Sequence, residues 1–175
     1  MTILQKSMLL GFLGFTFLTA CKTIPKNLAA VSPFEKERYL GDWYEIARID
    51  SRFEKNLIYT TASYSMKKDG NIEVLNRGFD TISKQWTQVT GKAKFVKSDT
   101  IAMLKVSFFG PFYGGYNVIA LDEDYRYALV SGANRNYLWI LSREKSIPDS
   151  IKNDYVALAH SLGFNVTSLL WVEQK

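Results

Sequence analysis

One cysteine and one histidine, Cys21 and His160, narrow the chemistry open to this 175-residue chain. A structural zinc site needs four Cys or His ligands and a disulfide needs two cysteines, so neither can form. Nucleophilic catalysis of the Ser-His-Asp or Cys-His kind would have to recruit His160 as its base. Ile151, Tyr155, Leu158 and Leu162 recur at spacings of 4, 3 and 4, which makes them one helical face and turns His160 away from it, toward solvent. Asp122, Glu123 and Asp124 are consecutive carboxylates, and without EF-hand spacing they read as solvated turn residues. Glu45 is different. Alternation turns it inward near Trp43, where its charge needs a Tyr hydroxyl or an Arg as partner. No metal site, no cofactor and no catalytic residue is expected.

The chemistry that remains is modification of Cys21 itself. Lys6 is the only charge among the first twenty residues, and an apolar run over 8–18 follows it. That run is shorter than the ~20 apolar residues of a permanent membrane helix, and with small residues after it the segment 1–20 reads as a signal peptide. Its removal leaves 155 residues, the size of one domain. Leu18-Thr19-Ala20-Cys21 resembles the lipobox of bacterial lipoproteins. The resemblance implies a diacylglycerol on the Cys21 thiol, cleavage before Cys21 and acylation of the new amine. An ordinary secreted protein with a cysteine at this place is the alternative. Lys22 in place of an Asp implies sorting to the outer membrane, facing the periplasm. Several acyl chains at ~0.8 kcal/mol per buried methylene anchor far more firmly than one. Residues 21–33 show no periodicity and read as a lipidated tether, and 34–175 as the folded domain. The balance of 22 Lys+Arg against 17 Asp+Glu fits nucleic acid and anionic headgroups alike and selects neither; no nucleic-acid partner is expected.

With 47% hydrophobic and 14% aromatic residues the body is not disordered. Alternating runs predict strands over 43–49, 58–66, 71–79, 85–95, 101–108, 116–121, 125–131 and 137–142. Lys67-Lys68-Asp69-Gly70 is a tight turn whose Gly70 supplies a positive φ. No crossover helix separates the strands, so the class is all-β and antiparallel, a closed barrel or an open sandwich. Ser146 is the predicted cap of the helix carrying the Ile151–Leu162 stripe, Gly163 follows its end, and 168–172 is a short closing strand.

Gly41-Asp42-Trp43 opening the first strand resembles the Gly-x-Trp signature of lipocalins; 119–129 resembles their second signature and 137–143 their third. The stretch 108–118, Phe-Phe-Gly-Pro-Phe-Tyr-Gly-Gly-Tyr-Asn-Val, is similar to that of bacterial outer-membrane lipocalins. The resemblance runs through nearly all of 34–174. It implies an eight-stranded up-and-down β-barrel with one C-terminal α-helix packed on the outside. Gly41, Trp43 and Arg143 are then structural, with Arg143 lying across the Trp43 indole at the barrel floor.

Inward parity names a cavity wall: Ala62, Tyr64, Val74, Asn76, Val89, Leu104, Val106, Phe108, Tyr116, Val118, Val130, Tyr137 and Trp139. Alternation leaves the lining face of the sixth strand open, since Val118, Ile119, Ala120 and Leu121 are all apolar. The wall suits a long alkyl chain, and a sixteen-carbon tail gains roughly 12 kcal/mol on leaving water before association costs. Fatty acids or lysophospholipids are the expected guests, with Asn76, Tyr116 or Lys105 near the head group. The loop over 108–115 either projects Phe109, Phe112 and Tyr113 toward a lipid surface or a second subunit, making a homodimer, or tucks in. A lipid-modifying enzyme and an envelope protein with a filled barrel are the competing readings. The prostaglandin isomerase of the lipocalin family uses a cavity cysteine, and this barrel has none.

Overall fold

A computed structural model describes residues 23–49, 51 and 54–175; the expected signal peptide and Cys21 lie outside the described residues. A short helix α1 (Lys36–Tyr39) precedes eight strands: β1 (Gly41–Ile49), β2 (Leu57–Met66), β3 (Ile72–Asp80), β4 (Gln85–Phe95), β5 (Met103–Ser107), β6 (Gly114–Leu121), β7 (Tyr127–Ser131) and β8 (Leu138–Ser142). Helix α2 (Asp149–Ser161), a 3-10 turn (Val166–Ser168) and β9 (Leu169–Trp171) complete the chain. Strands β1 to β8 each pair antiparallel with their neighbours in sequence, β8 pairs back onto β1 so that the sheet closes, and β9 adds to the end of β1. Closure removes the free edges that an open sandwich would leave. At the β2–β3 turn Gly70 takes φ +79° as its position requires.

The seam is incomplete where the chain bends. β1 pairs with β2 only from Gly41 to Tyr44, and a bulge between Glu45 and Ala47 turns the rest of β1 away. The C-terminus fills the gap. Val172 N donates to Ile46 O at 2.9 Å, Tyr59 N donates to Glu173 O at 2.8 Å, and Gln174 Nε2 donates to Glu45 O and Thr60 O at 2.7 and 3.0 Å. Backbone groups that the splayed strands leave unpaired are thus satisfied by the last residues of the chain.

Two apolar clusters lie on opposite faces of this wall. Inside are Trp43, Tyr64, Val74, Leu104, Val118 and Val130; outside, Ile46, Leu129, Leu138 and Ile140 pack under α2 through Tyr155 and Ala159. Ile151, Leu158 and Leu162 pack on the same outer cluster, and His160 is exposed. The helix begins two residues later than the sequence suggests: its cap is Pro148, with no side-chain cap bond, while the carbonyl of Ser146 accepts from Ser142 Oγ at 3.4 Å.

Residues 23–34, most of them in the stretch read as a tether, pass from the outer face, where Leu28 packs on the outer cluster, to the floor end, where Val31 and Phe34 pack with the inner one. Arg135 Nη2 donates to Lys26 O at 2.9 Å near the β7–β8 loop, Val31 N donates to Val118 O at 2.9 Å, and Phe34 N donates to Thr100 O at the opposite end. Asn117, buried and facing outward, donates through Nδ2 to Thr23 O at 2.7 Å. A Cβ on Gly115 would stand 2.0 Å from that same Thr23 oxygen, so Gly115 is required by the crossing chain. Gly115→Ala should lift this segment and leave the barrel folded. The expected result is faster limited proteolysis within 23–30 at a nearly unchanged melting temperature, and an unchanged cleavage rate would refute the account.

Candidate functional site

Strand register fixes which side chains face the lumen, because residues directly opposite share a face. Trp43, Ala62, Asn76 and Val89 form one inward row; Tyr64, Val74 and Gly91 form the next. Phe95, Leu104 and Tyr116 make a third, Ala93 and Val106 a short one, and Val118, Val130, Trp139 and Arg48 a fourth long row. Ala62, Tyr64, Val74, Leu104, Val106, Phe108, Tyr116, Val118, Val130 and Trp139 all belong to the inner cluster. Val89 and Asn76 lie above it in the same register. Tyr137 stacks on Trp139 with ring centroids 6.1 Å apart. On β6 the face is settled by a bulge between Val118 and Ala120: Val118 and Leu121 face in, and Ile119 and Ala120 face α2.

One end of this lumen is packed shut. Trp43 has no exposure, and the Arg143 guanidinium lies 3.9 Å from its ring centroid. Arg143 also donates to the carbonyls of Asp42 (2.7 Å), Arg38 (2.8 Å), Leu40 (2.9 Å), Tyr39 (3.1 Å) and Tyr125 (3.3 Å). Gly41 takes φ +91°, and a Cβ there would stand 3.4 Å from Arg143 Nη1. Trp43 Nε1 donates to Tyr39 O at 2.9 Å. Above it the hydroxyls of Tyr39 and Tyr64 meet that of Tyr116 at 2.7 and 2.8 Å. Tyr116 is therefore a floor residue and not a head-group contact, and burial holds its phenol well above the usual range. The void left among Phe34, Tyr39, Leu40, Tyr64, Ile72 and Leu104 is about 10 Å³, at the limit for one water.

Toward the other end the inner wall opens. Ala62, Asn76, Val89, Val106, Phe108, Tyr137 and Trp139 face inward yet are only half-buried. An inward side chain retains solvent contact only where the lumen above it is unfilled. The mouth carries a polar group that alternation missed. The bulge after Glu45 turns Arg48 inward, where it is fully buried and donates through Nη1 to Glu45 Oε1 at 2.8 Å and through Nη2 to Glu54 O and Leu57 O at 2.8 and 3.2 Å. Glu54, from the β1–β2 loop, takes Trp139 Nε1 on its carboxylate at 3.2 Å. Asn76 Oδ1 is buried in the lumen with no partner among the described residues. Lys105, in contrast, points to the outer face, near Tyr113.

Burial raises the Glu45 carboxyl from 4.5 to about 8, with the Glu54 charge adding to the shift and Arg48 opposing it. A protonated Glu45 still accepts from Arg48, so the contact serves both states. A raised carboxyl binds its proton more tightly folded than unfolded; the stability it contributes is present below pH 4.5 and is lost as pH climbs toward 8. The unfolding free energy from urea titration should fall across that window by at most about 1.4 kcal/mol per pH unit, and Glu45→Gln should flatten the slope. A wild-type profile that rises with pH would contradict it. At the floor, Arg143→Ala should cost about 2–4 kcal/mol, and Arg143→Lys should recover less than half, because an ammonium cannot span five carbonyls. Denaturation of the three proteins side by side checks this.

The family model for a lipocalin-like domain matches residues 34–174. Outer membrane lipoprotein Blc of Escherichia coli K12 is 52% identical over 159 residues, covering 90% of each chain. Outer membrane lipoprotein Blc of Vibrio cholerae is 45% identical over 90% of this chain and 93% of its own. Mouse apolipoprotein D is 33% identical over 81% of this chain and 77% of its own. Among solved structures, insecticyanin of Manduca sexta superposes with a TM-score of 0.69 at 18% identity, over 86% of both chains, and the cockroach allergen Per a 4 with 0.68 at 19%, over 87% and 96%. These two establish the barrel fold alone. The family match over almost the whole folded domain, and relatives sharing about half their residues over nine-tenths of the chain, are decisive: this protein belongs to the lipocalins, among their lipid-anchored outer-membrane lipoproteins.

Proposed function

We infer that this chain binds single-tailed lipids, fatty acids or lysophospholipids, in the barrel lumen and stores or transports them at the membrane to which acylated Cys21 ties it. The observation that carries the reading is the division of the lumen: a dry, packed floor beneath an apolar wall whose inward side chains keep solvent access. A tail of sixteen carbons transfers from water with roughly 12 kcal/mol, of which association and ordering remove a substantial part. The wall offers no directional contact, so chain choice is set by depth. The head end meets the polar groups near the mouth, Asn76 with its unpartnered Oδ1, Trp139 and Glu54. Lipocalins are binding proteins as a class, and the single histidine supports the same reading, since His160 is exposed on a helix outside the barrel.

Titration of the mature protein with lysophospholipid or palmitate, followed by native mass spectrometry, should show saturable occupancy by one guest per barrel or per dimer. Val106→Trp separates a hollow barrel from a filled one. In a packed interior such an enlargement destabilises by about 1–3 kcal/mol; in an open lumen it occupies the guest's space. The expected outcome is at least a tenfold loss of affinity with a melting temperature within a few degrees of wild type. A large loss of stability, with no binding by either protein at micromolar lipid, would overturn the reading.

A further inference from the structure

The loop between β5 and β6 is the most apolar exposed surface at the mouth: Phe109 is 72% and Phe112 79% exposed, with Tyr113 beside them. Folding gains nothing from leaving two phenylalanines in water on one loop. The outer face of the adjacent strands is basic. Lys92 and Lys94 on β4 are exposed, Lys105 on β5 pairs opposite Lys94, and the ammonium groups of Lys94 and Lys105 lie 5.2 and 5.4 Å from the Tyr113 ring centroid. Aromatic tips beside a lysine cluster match a bilayer with anionic headgroups, the rings reaching the acyl boundary and the ammonium groups the phosphates. A third observation points the same way. Thr23 is held on the outer wall of β6 by Asn117, over Gly115, one residue from the start of that strand and next to the β5–β6 loop. Cys21, outside the described residues, precedes Thr23 by two residues, a chain length of about 7 Å at most, so an anchor on it is tied to this face through Thr23.

We propose that the protein sits mouth-down on its membrane, with Phe109, Phe112 and Tyr113 docked into an anionic phospholipid surface beside the anchor, so that the lumen opens onto the bilayer. The proposal rests on acylation of Cys21. A barrel tethered at its floor would need a guest to cross water; this one exchanges it directly with the leaflet below.

The test uses the acylated full-length mature protein. Once Cys21 is acylated, the thiol of Phe112→Cys is the only reactive one, since the chain has a single natural cysteine. An environment-sensitive fluorophore is placed there, or through Lys68→Cys on the β2–β3 turn at the floor end, and the protein is reconstituted into vesicles of phosphatidylcholine containing phosphatidylglycerol and brominated lipid. At 112 the emission should shift to the blue and be quenched at least twofold, more so as the phosphatidylglycerol fraction rises, whereas the label at 68 should stay in water. Quenching at 68 instead, or at neither position, overturns the proposal. So does a dry label at 112 whose emission depends on the fraction of labelled chains, the mark of a second copy covering the loop. The intact mass of the reconstituted protein keeps the two readings apart: an unacylated Cys21 removes the anchor, while a triacylated chain whose label at 112 stays in water removes only the docked orientation.

Discussion

The lumen exists because one guanidinium seals its far end. Arg143 is planar, permanently charged and supplied with five N–H donors, and it directs them at five backbone carbonyls while its face covers Trp43. Those carbonyls come from α1, the start of β1 and the β6–β7 turn, so a single side chain ties together three pieces of chain that meet where the barrel must close. No apolar residue could do this, since the carbonyls would stay unpaired, and a lysine lacks the fork. Above it Tyr39, Tyr64 and Tyr116 use their hydroxyls on one another. The floor thus contains polar atoms but presents none upward, and the wall above it is free to be apolar without stranding water.

The mouth is built on a different principle. Its charged groups are held by the chain's irregularities, not by its regular ladder. Two bulges, after Glu45 on β1 and after Ile58 on β2, splay the strands and bring Arg48 inside. The gap this opens is closed by Val172, Glu173 and Gln174, which hydrogen-bond to both strands. One guanidinium, Arg48, then stands among two carboxyl groups, those of Glu45 and Glu54, in a site of low dielectric. Such a cluster stabilises only when each charge is bonded, and removing one partner strands the others. The C-terminal tail is consequently part of the mouth, although it contributes no side chain to the cavity wall.

Most of the fold was legible because alternation survives wherever the ladder is regular. The rows through Tyr64 and Val74, and through Val130 and Trp139, follow parity without interruption. Legibility failed at the places where geometry departs from period two. Alternation from Trp43 puts Ala47 inside and Arg48 outside, and the bulge reverses both. The four apolar residues of β6 were ambiguous for the same reason, a bulge after Val118. Tyr116 and Lys105 were misjudged as head-group contacts because parity says which face a residue takes and not how deep it lies, nor which strand is short. Gly115 is required by a chain crossing from more than ninety residues away, and no local pattern encodes that.

Selectivity in such a barrel follows from where the guest comes from. Measured against water, an alkyl tail gains free energy in proportion to its length. Measured against a bilayer, the tail leaves one apolar phase for another and that gain nearly cancels. In the proposed mouth-down arrangement the balance is decided by what differs between the two phases: the lost freedom of the chain in a fixed lumen, and the contacts of the head end near Asn76, Trp139 and Glu54. A two-tailed phospholipid is held in the bilayer by both chains while an eight-stranded lumen accepts about one small guest, so its extraction leaves apolar surface uncovered. A single-tailed lipid is held less firmly by the membrane and fits whole. The discrimination therefore comes from the cost of leaving the bilayer, and the wall can remain an unselective apolar surface.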